Sequence, residues 1–354
     1  MRLRQGRSAR RAGDYPVCRR RVAIICALLA ACLVLQARAS IGSRDPASIA
    51  QGDEPITPVP RTVALEADKV RLGEMLFYDE RLSQGDDMAC ASCHRLAEGG
   101  DDNQALSPGA DGELLDFNAP TVFNAALSFR LNWRGNFRTL EEQIEAVLLD
   151  PRLMNTAWEE LLAKLRTDAV YREAFLAVYG SAATSADVLD ALATFERSLL
   201  TPDARFDRYL RGEHEALEAN EEHGYELFKA YGCVACHQGV NVGGNLFQKF
   251  GIFYNPFSQR GAVTEADLGR LAITGKEVDR HVFRVPSLRN VGLTAPYFHD
   301  GTAASLEEAV DAMARSQLGR SLTEEEISSI VAFLHTLTGE YQGRPLVAGS
   351  TRSP

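Results

Sequence analysis

The sequence of 354 residues has no apolar run long enough to span a bilayer, which takes about 20 residues; its longest, Val22–Leu35, has fourteen. It also has no long alternating strand patterns, which argues against a sandwich or barrel. Cysteine is scarce outside three short places. Cys18, Cys26 and Cys32 lie in the first 39 residues and the other four in two pentapeptides, so none remains for a disulfide framework. With 28 Gly and 14 Pro the chain is neither collagen-like nor low in complexity. Positive charge is short as well. The formal net charge is −10, and −18 once the arginine-rich first 39 residues (net +8) are set aside, which excludes nucleic-acid binding by phosphate neutralisation. Such a surface suits steering of a basic protein partner, or plain solubility.

What is present begins with a leader. Arg19, Arg20 and Arg21 precede Val22–Leu35, and Ala37-Arg38-Ala39 closes the run with a small-x-small site. Cleavage after about Ala39 and delivery to the periplasm are expected. Leu29-Ala30-Ala31-Cys32 offers a lipoprotein site instead, which the continuing apolar run opposes.

The chemistry is concentrated in Cys90-Ala91-Ser92-Cys93-His94 and Cys233-Val234-Ala235-Cys236-His237. Two cysteines at this spacing can each form a thioether to a haem vinyl group, and the adjacent histidine then reaches the iron. A redox dithiol or half a zinc site would use one such pair. Two behind an export signal point to two covalently bound haem c groups, held by Cys90, Cys93 and His94 and by Cys233, Cys236 and His237.

Periodicity predicts helices over 139–149, 158–167, 186–200, 305–315 and 323–337, hence an all-α fold with irregular loops around haem. The chain repeats itself. Leu72-Gly73-Glu74-Met75-Leu76-Phe77 precedes the first haem motif and His223-Gly224-Tyr225-Glu226-Leu227-Phe228 the second, and an offset of 166 maps Pro120, Asn124, Gly135 and Leu140 onto Pro286, Asn290, Gly301 and Leu306. Two cytochrome c-like domains follow: a signal peptide at 1–39, an N-terminal haem domain at 40–215, a C-terminal haem domain at 216–345 and a flexible tail at 346–354. The same offset sets Met313 opposite Val147. A lone methionine commonly fills core space, but in a haem-binding half its sulfur is a candidate ligand, and His/Met ligation raises the potential for electron transfer. Valine has no ligand atom, so the first haem keeps an open position.

Beyond these motifs, Asn118-Ala119-Pro120-Thr121, Phe195-Glu196-Arg197, Arg205–Leu210, Phe283–Val291 and Thr294–Gly301 make the chain resemble the bacterial dihaem cytochrome c peroxidases and their tryptophan-modifying MauG-type relatives. The resemblance implies a peroxidatic N-terminal haem and an electron-transferring C-terminal haem ligated by Met313, where MauG-type enzymes have tyrosine. It implies that Trp133 lies between the haems, that Gln143 hydrogen-bonds bound peroxide, and that Asn118, Thr294 and Pro296 supply oxygens to an inter-domain Ca2+. Family peroxidases often pair as homodimers.

Three positions depart from the family pattern. Ala110 stands where a loop histidine would block the peroxidatic iron, and no histidine occurs between His94 and His214. Leu153 stands where the family has its proton-moving distal glutamate; Asp150, three residues earlier, is a substitute or an ordinary cap. Asn132-Trp133-Arg134-Gly135 replaces the usual aromatic-Trp-acid-Gly context. His214, His223, His281 and His335 read as solvated, and His299 as a residue near the calcium and the haem edge.

The expected function is a periplasmic cytochrome-c peroxidase that reduces hydrogen peroxide to water with electrons from a small redox protein, a cytochrome c or cupredoxin. Two alternatives stand beside it. One is a MauG-like peroxide-dependent oxidase of a partner protein's side chain; the other is a non-catalytic dihaem electron carrier or ligand sensor.

Overall fold

Helix starts in this chain are set by polar caps. Thr139 and Ser305 accept backbone N–H groups from Glu142 and Glu308, and Glu142 and Glu308 in turn accept the N–H groups of Arg138 and Ala304, both at 2.7 Å. Each device satisfies donors that a first turn leaves free. The two devices are 166 residues apart. Thr184 and Thr323 cap two further helices in the same way.

The computed structural model describes residues 54–260 and 262–347. The leader, its cleavage site, the start of the first predicted domain and the end of the tail lie outside them. Within them each half has a leading helix (Ala67–Phe77; Ala219–Ala230), a middle helix (Leu140–Leu149; Leu306–Leu318) and a closing helix (Ser185–Ser198; Glu324–His335). Trp158–Thr167 and Ala169–Tyr179 add two helices to the first half. Strand is confined to two antiparallel pairs, Phe247–Lys249 with Val282–Arg284 and Glu340–Tyr341 with Arg344–Pro345. Among the described residues no helix is long and apolar enough to cross a membrane.

In each half the leading helix crosses the closing one at a glycine. A Cβ on Gly73 would run into the Ala191 carbonyl and Phe195, and one on Gly224 into the Ser329 carbonyl and Phe333. The helices therefore touch backbone to backbone, and aromatic rings fill the flanks: Phe77 on Phe195 at 5.2 Å, and Phe206 on Tyr225 and Phe333 at 4.7 and 5.0 Å.

The loops repeat too. Leu131 bridges Phe137 as Tyr297 bridges Ala303, Asn124 and Asn290 take left-handed φ of 59° and 60°, and Gly135 and Gly301 take 63° and 64°. Both asparagines donate side-chain N–H groups to the buried Thr201 hydroxyl, at 2.6 and 3.0 Å. One apolar cluster surrounds Leu72, Phe77 and Phe195, and a second surrounds Phe206, Tyr225 and Phe333. A third joins Trp133 to Phe250, Phe257 and Phe283, with Met313 packed on it.

Candidate functional site

Each Cys-x-x-Cys-His segment folds as a single turn. The His94 N–H donates to the Cys90 carbonyl at 3.0 Å and the His237 N–H to the Cys233 carbonyl at 2.9 Å. Both imidazoles are then fixed from behind. The Nδ1–H of His94 donates to Gly100 O (3.2 Å) and that of His237 to Val242 O (3.3 Å). A carbonyl can only accept, so Nε2 is left with its lone pair, the form that ligates iron. Burial lowers both histidines' affinity for protons, His237 to about 4, which keeps the rings neutral. Glycine is required behind each ring: a Cβ on Gly100 (φ 83°) would sit 2.7 Å from Thr121 Oγ1, and one on Gly243 would strike the Pro286 carbonyl.

Both turns open into one continuous cavity of about 810 Å³, walled mainly by apolar side chains from both halves. All four cysteines line it, and all four are unpaired. Burial raises Cys90 to about 12 and Cys233 to about 11, which keeps the thiols neutral in the apolar hollow. Neutral thiols beside fixed imidazoles in an apolar hollow fit covalently held haem. Arg284 also faces the cavity. It is buried, its Nε–H donates to the Asn132 carbonyl (3.0 Å), and desolvation lowers it to about 10, so it is a cation suited to a ligand's carboxylate.

The cavity also collects Met313 and Val147 from the two middle helices, Gln143 one turn before Val147, and Trp133. The Trp133 indole N–H donates to Asn118 O (2.8 Å), the Asn118 N–H donates to His299 O (2.8 Å), and the Trp133 and His299 rings meet edge to face at 6.4 Å. Trp133 and His299 are themselves 166 residues apart, so the repeat brings its two copies of this position together.

Comparison with known proteins gives the same outline. A family model described as di-haem cytochrome c peroxidase matches residues 67–215. The cytochrome c551 peroxidase of Nitrosomonas europaea is 43% identical over 295 residues, which cover 83% of this chain and 87% of that protein. This chain belongs to the di-haem cytochrome c peroxidase family. The cytochrome c peroxidase Ccp of Escherichia coli is 41% identical over 290 residues, covering 82% of this chain and 62% of the relative. A solved structure of a MauG-like protein associated with microbial copper homeostasis superposes with a TM-score of 0.70 at 30% identity, over 81% of this chain and 93% of that one.

Haem is thus the cofactor type of this di-haem peroxidase-family chain, and the remaining expected positions can be set against the pockets. Leu153 lines the cavity, as does Asp150, whose carboxylate accepts the Arg152 N–H (2.8 Å) in a local turn. Arg152 pins the neighbouring loop: it donates to Asp116 (2.6 Å) and Leu114 O (2.8 Å), and its own carbonyl accepts the Ala110 N–H (3.0 Å). Asn118, Thr294 and Pro296 line the cavity together, with the Asn118 amide N–H donating to Gln104 O (2.8 Å).

His299 is buried, and its Nε2 meets Asp267 Oδ1 at 2.9 Å. Asp300 completes a group that could hold a cation, but Arg260 already occupies it, 2.8 Å from Asp267 and paired with Asp300. His281 corrects the sequence reading. It is not solvated: its ring stacks on Phe257 at 4.2 Å and its Nδ1 meets Asp267 O at 2.6 Å, because a left-handed φ of 59° folds the side chain inward. Nothing in the spacing of histidines signals that turn. Glu196 and Arg284 were also missed as cavity residues, although both fall inside the stretches that carry the family resemblance.

Proposed function

We propose that this protein is a periplasmic dihaem c-type peroxidase that passes electrons from a small donor protein, a cytochrome c or cupredoxin, to hydrogen peroxide. The observation that carries this reading is the contrast at one repeat position. Met313 offers a thioether sulfur where Val147 offers only methyl groups, in middle helices that both open with Leu-Glu-Glu after a hydroxyl cap.

When bound, the haems supply the iron redox chemistry and the site for peroxide. Cys90 and Cys93, and Cys233 and Cys236, would anchor them as thioethers. His94 and His237 would each offer Nε2 to a haem iron, and Met313 would offer its sulfur to the iron of the second haem. Arg284 would neutralise a carboxylate of the bound group. Val147, Gln143 and Leu153 line the cavity in the first half, and of the three Gln143 is the one that would hydrogen-bond bound peroxide. The reaction consumes two electrons and two protons for each peroxide reduced to two waters. Leu153 cannot move those protons; Asp150, exposed and lining the same cavity, is a carboxylate that can. Trp133, packed between the halves, would carry electrons across. Asn118, Thr294 and Pro296 would supply the oxygens for a Ca2+.

With Ala110 in place of a histidine and its loop pinned by Arg152, the first pocket would be open in the fully oxidised protein. An oxidised-state EPR spectrum with one high-spin or water-bound haem supports this, and two low-spin haems with strong-field protein ligands refute it. Stopped-flow mixing with peroxide tests the function. Rapid turnover with reduced cytochrome c supports the peroxidase. A long-lived oxidised protein without donor turnover supports the MauG-like reading, and no reaction supports a carrier or sensor, the reading that Leu153 in place of an acid–base group favours.

A further inference from the structure

The closing helices extend the comparison of the halves to a position that the proposed reaction does not use. Gly73 packs on Ala191 and Phe195 as Gly224 packs on Ser329 and Phe333, which sets the closing helices in register at an offset of 138. The next residue in each faces the haem cavity: Glu196 in the first half and Leu334 in the second. Glu196 is only 9% exposed, and the charges that act on its carboxyl are those of Arg197 and Glu141. A carboxyl in that setting is costly when charged.

The charges around it are committed elsewhere. Arg197 is paired with Glu141 of the middle helix at 2.5 Å, and Lys69 of the leading helix with Asp190 at 2.8 Å. The haem-motif turn presents Cys90, whose sulfur is near enough to be acted on by the Glu196 charge. Desolvation raises Glu196 to about 8; Arg197 opposes this and Glu141 adds to it. A buried acid that titrates near neutrality beside a redox centre responds to the charge of that centre.

We infer that Glu196 is a proton-holding residue that couples proton uptake to electron arrival in the N-terminal pocket, a coupling the C-terminal pocket lacks because Leu334 takes its place. An electron arriving beside the ionised carboxylate removes one positive charge nearby, and the carboxylate takes one proton from solvent, forming an O–H bond. Oxidation reverses both. The inference rests on a haem being held by Cys90, Cys93 and His94, and the haem count of the purified holoprotein tests that separately.

The experiment is potentiometry of the holoprotein from about pH 6 to about pH 10, following each haem by its absorbance, on wild type and Glu196→Gln. Coupling of one proton to one electron makes the N-terminal potential fall by about 59 mV per pH unit, a tenfold change in proton concentration, within that window. In E196Q the fall disappears there, while the C-terminal haem behaves alike in both proteins. If E196Q does not assemble, Glu196→Leu installs the second half's own residue and gives the same readout. A flat N-terminal potential in wild type, or an unchanged slope in the variant, overturns the inference. Fewer than two haems overturns the haem assignment beneath it.

Discussion

Between the two halves the frame repeats while the cavity wall does not. The caps at Thr139 and Ser305, the crossings at Gly73 and Gly224 and the left-handed turns at Asn124 and Asn290 are near copies. Facing the interior, Val147 stands against Met313, Glu196 against Leu334 and Trp133 against His299. Frame positions are fixed by sterics common to both halves, since a backbone crossing tolerates only glycine and a first turn needs a cap. Wall positions touch what fills the cavity, so they can diverge without disturbing the fold. The difference in chemistry between the halves therefore rests on a few side chains.

Exchanging one of those side chains should change the electronic state of a haem. Met313→Val gives the second pocket the first pocket's residue, and its haem should change from six-coordinate low-spin to open, read by EPR. Its potential should drop, and donor oxidation should fall more than about tenfold, since each 59 mV of lost driving force is a factor of ten for one electron. A spectrum unchanged from wild type would mean that Met313 is core packing. Leu153→Glu tests the reverse deficiency. A positioned acid–base group contributes about 10²–10⁴-fold, so peroxide turnover should rise by about a hundredfold or more, measured in steady state with reduced cytochrome c.

Stability gives the next contrast. Arg289 and Asp207 form a fully buried pair at 2.7 Å, where the first half has the ring of Phe123 at the counterpart of Arg289. Arg289→Met leaves the buried Asp207 carboxyl without its ion-pair partner, and should cost about 3–5 kcal/mol in denaturant unfolding of the holoprotein. The smallest effect concerns what the halves share: Gly73→Ala and Gly224→Ala should each cost about 1–3 kcal/mol through overpacking. A large inequality between them would show that the two helix crossings are not equivalent.

Much of this was legible in the sequence because the frame is written in short-range terms. Thr139 with Glu142, Ser305 with Glu308 and the paired Cys-x-x-Cys-His motifs are local patterns, and the helices read from periodicity agree with those observed to within a few residues. The inward turn of His281 depends on a single backbone φ and on Phe257, 24 residues earlier. The setting of Glu196 is a property of three helices at once, since its helix-surface neighbour Arg197 is taken by Glu141, 56 residues away. Neither has a signature along the chain.

The size of the shared hollow has a consequence for stability. Apolar surface left facing water costs about 25 cal/mol per Å², and this hollow of about 810 Å³ has mainly apolar walls, so the folded chain gains stability from a group that covers them. A ligand that binds only the folded state adds to its stability by mass action, and the haem-loaded protein should therefore unfold at a higher denaturant concentration than the unloaded chain.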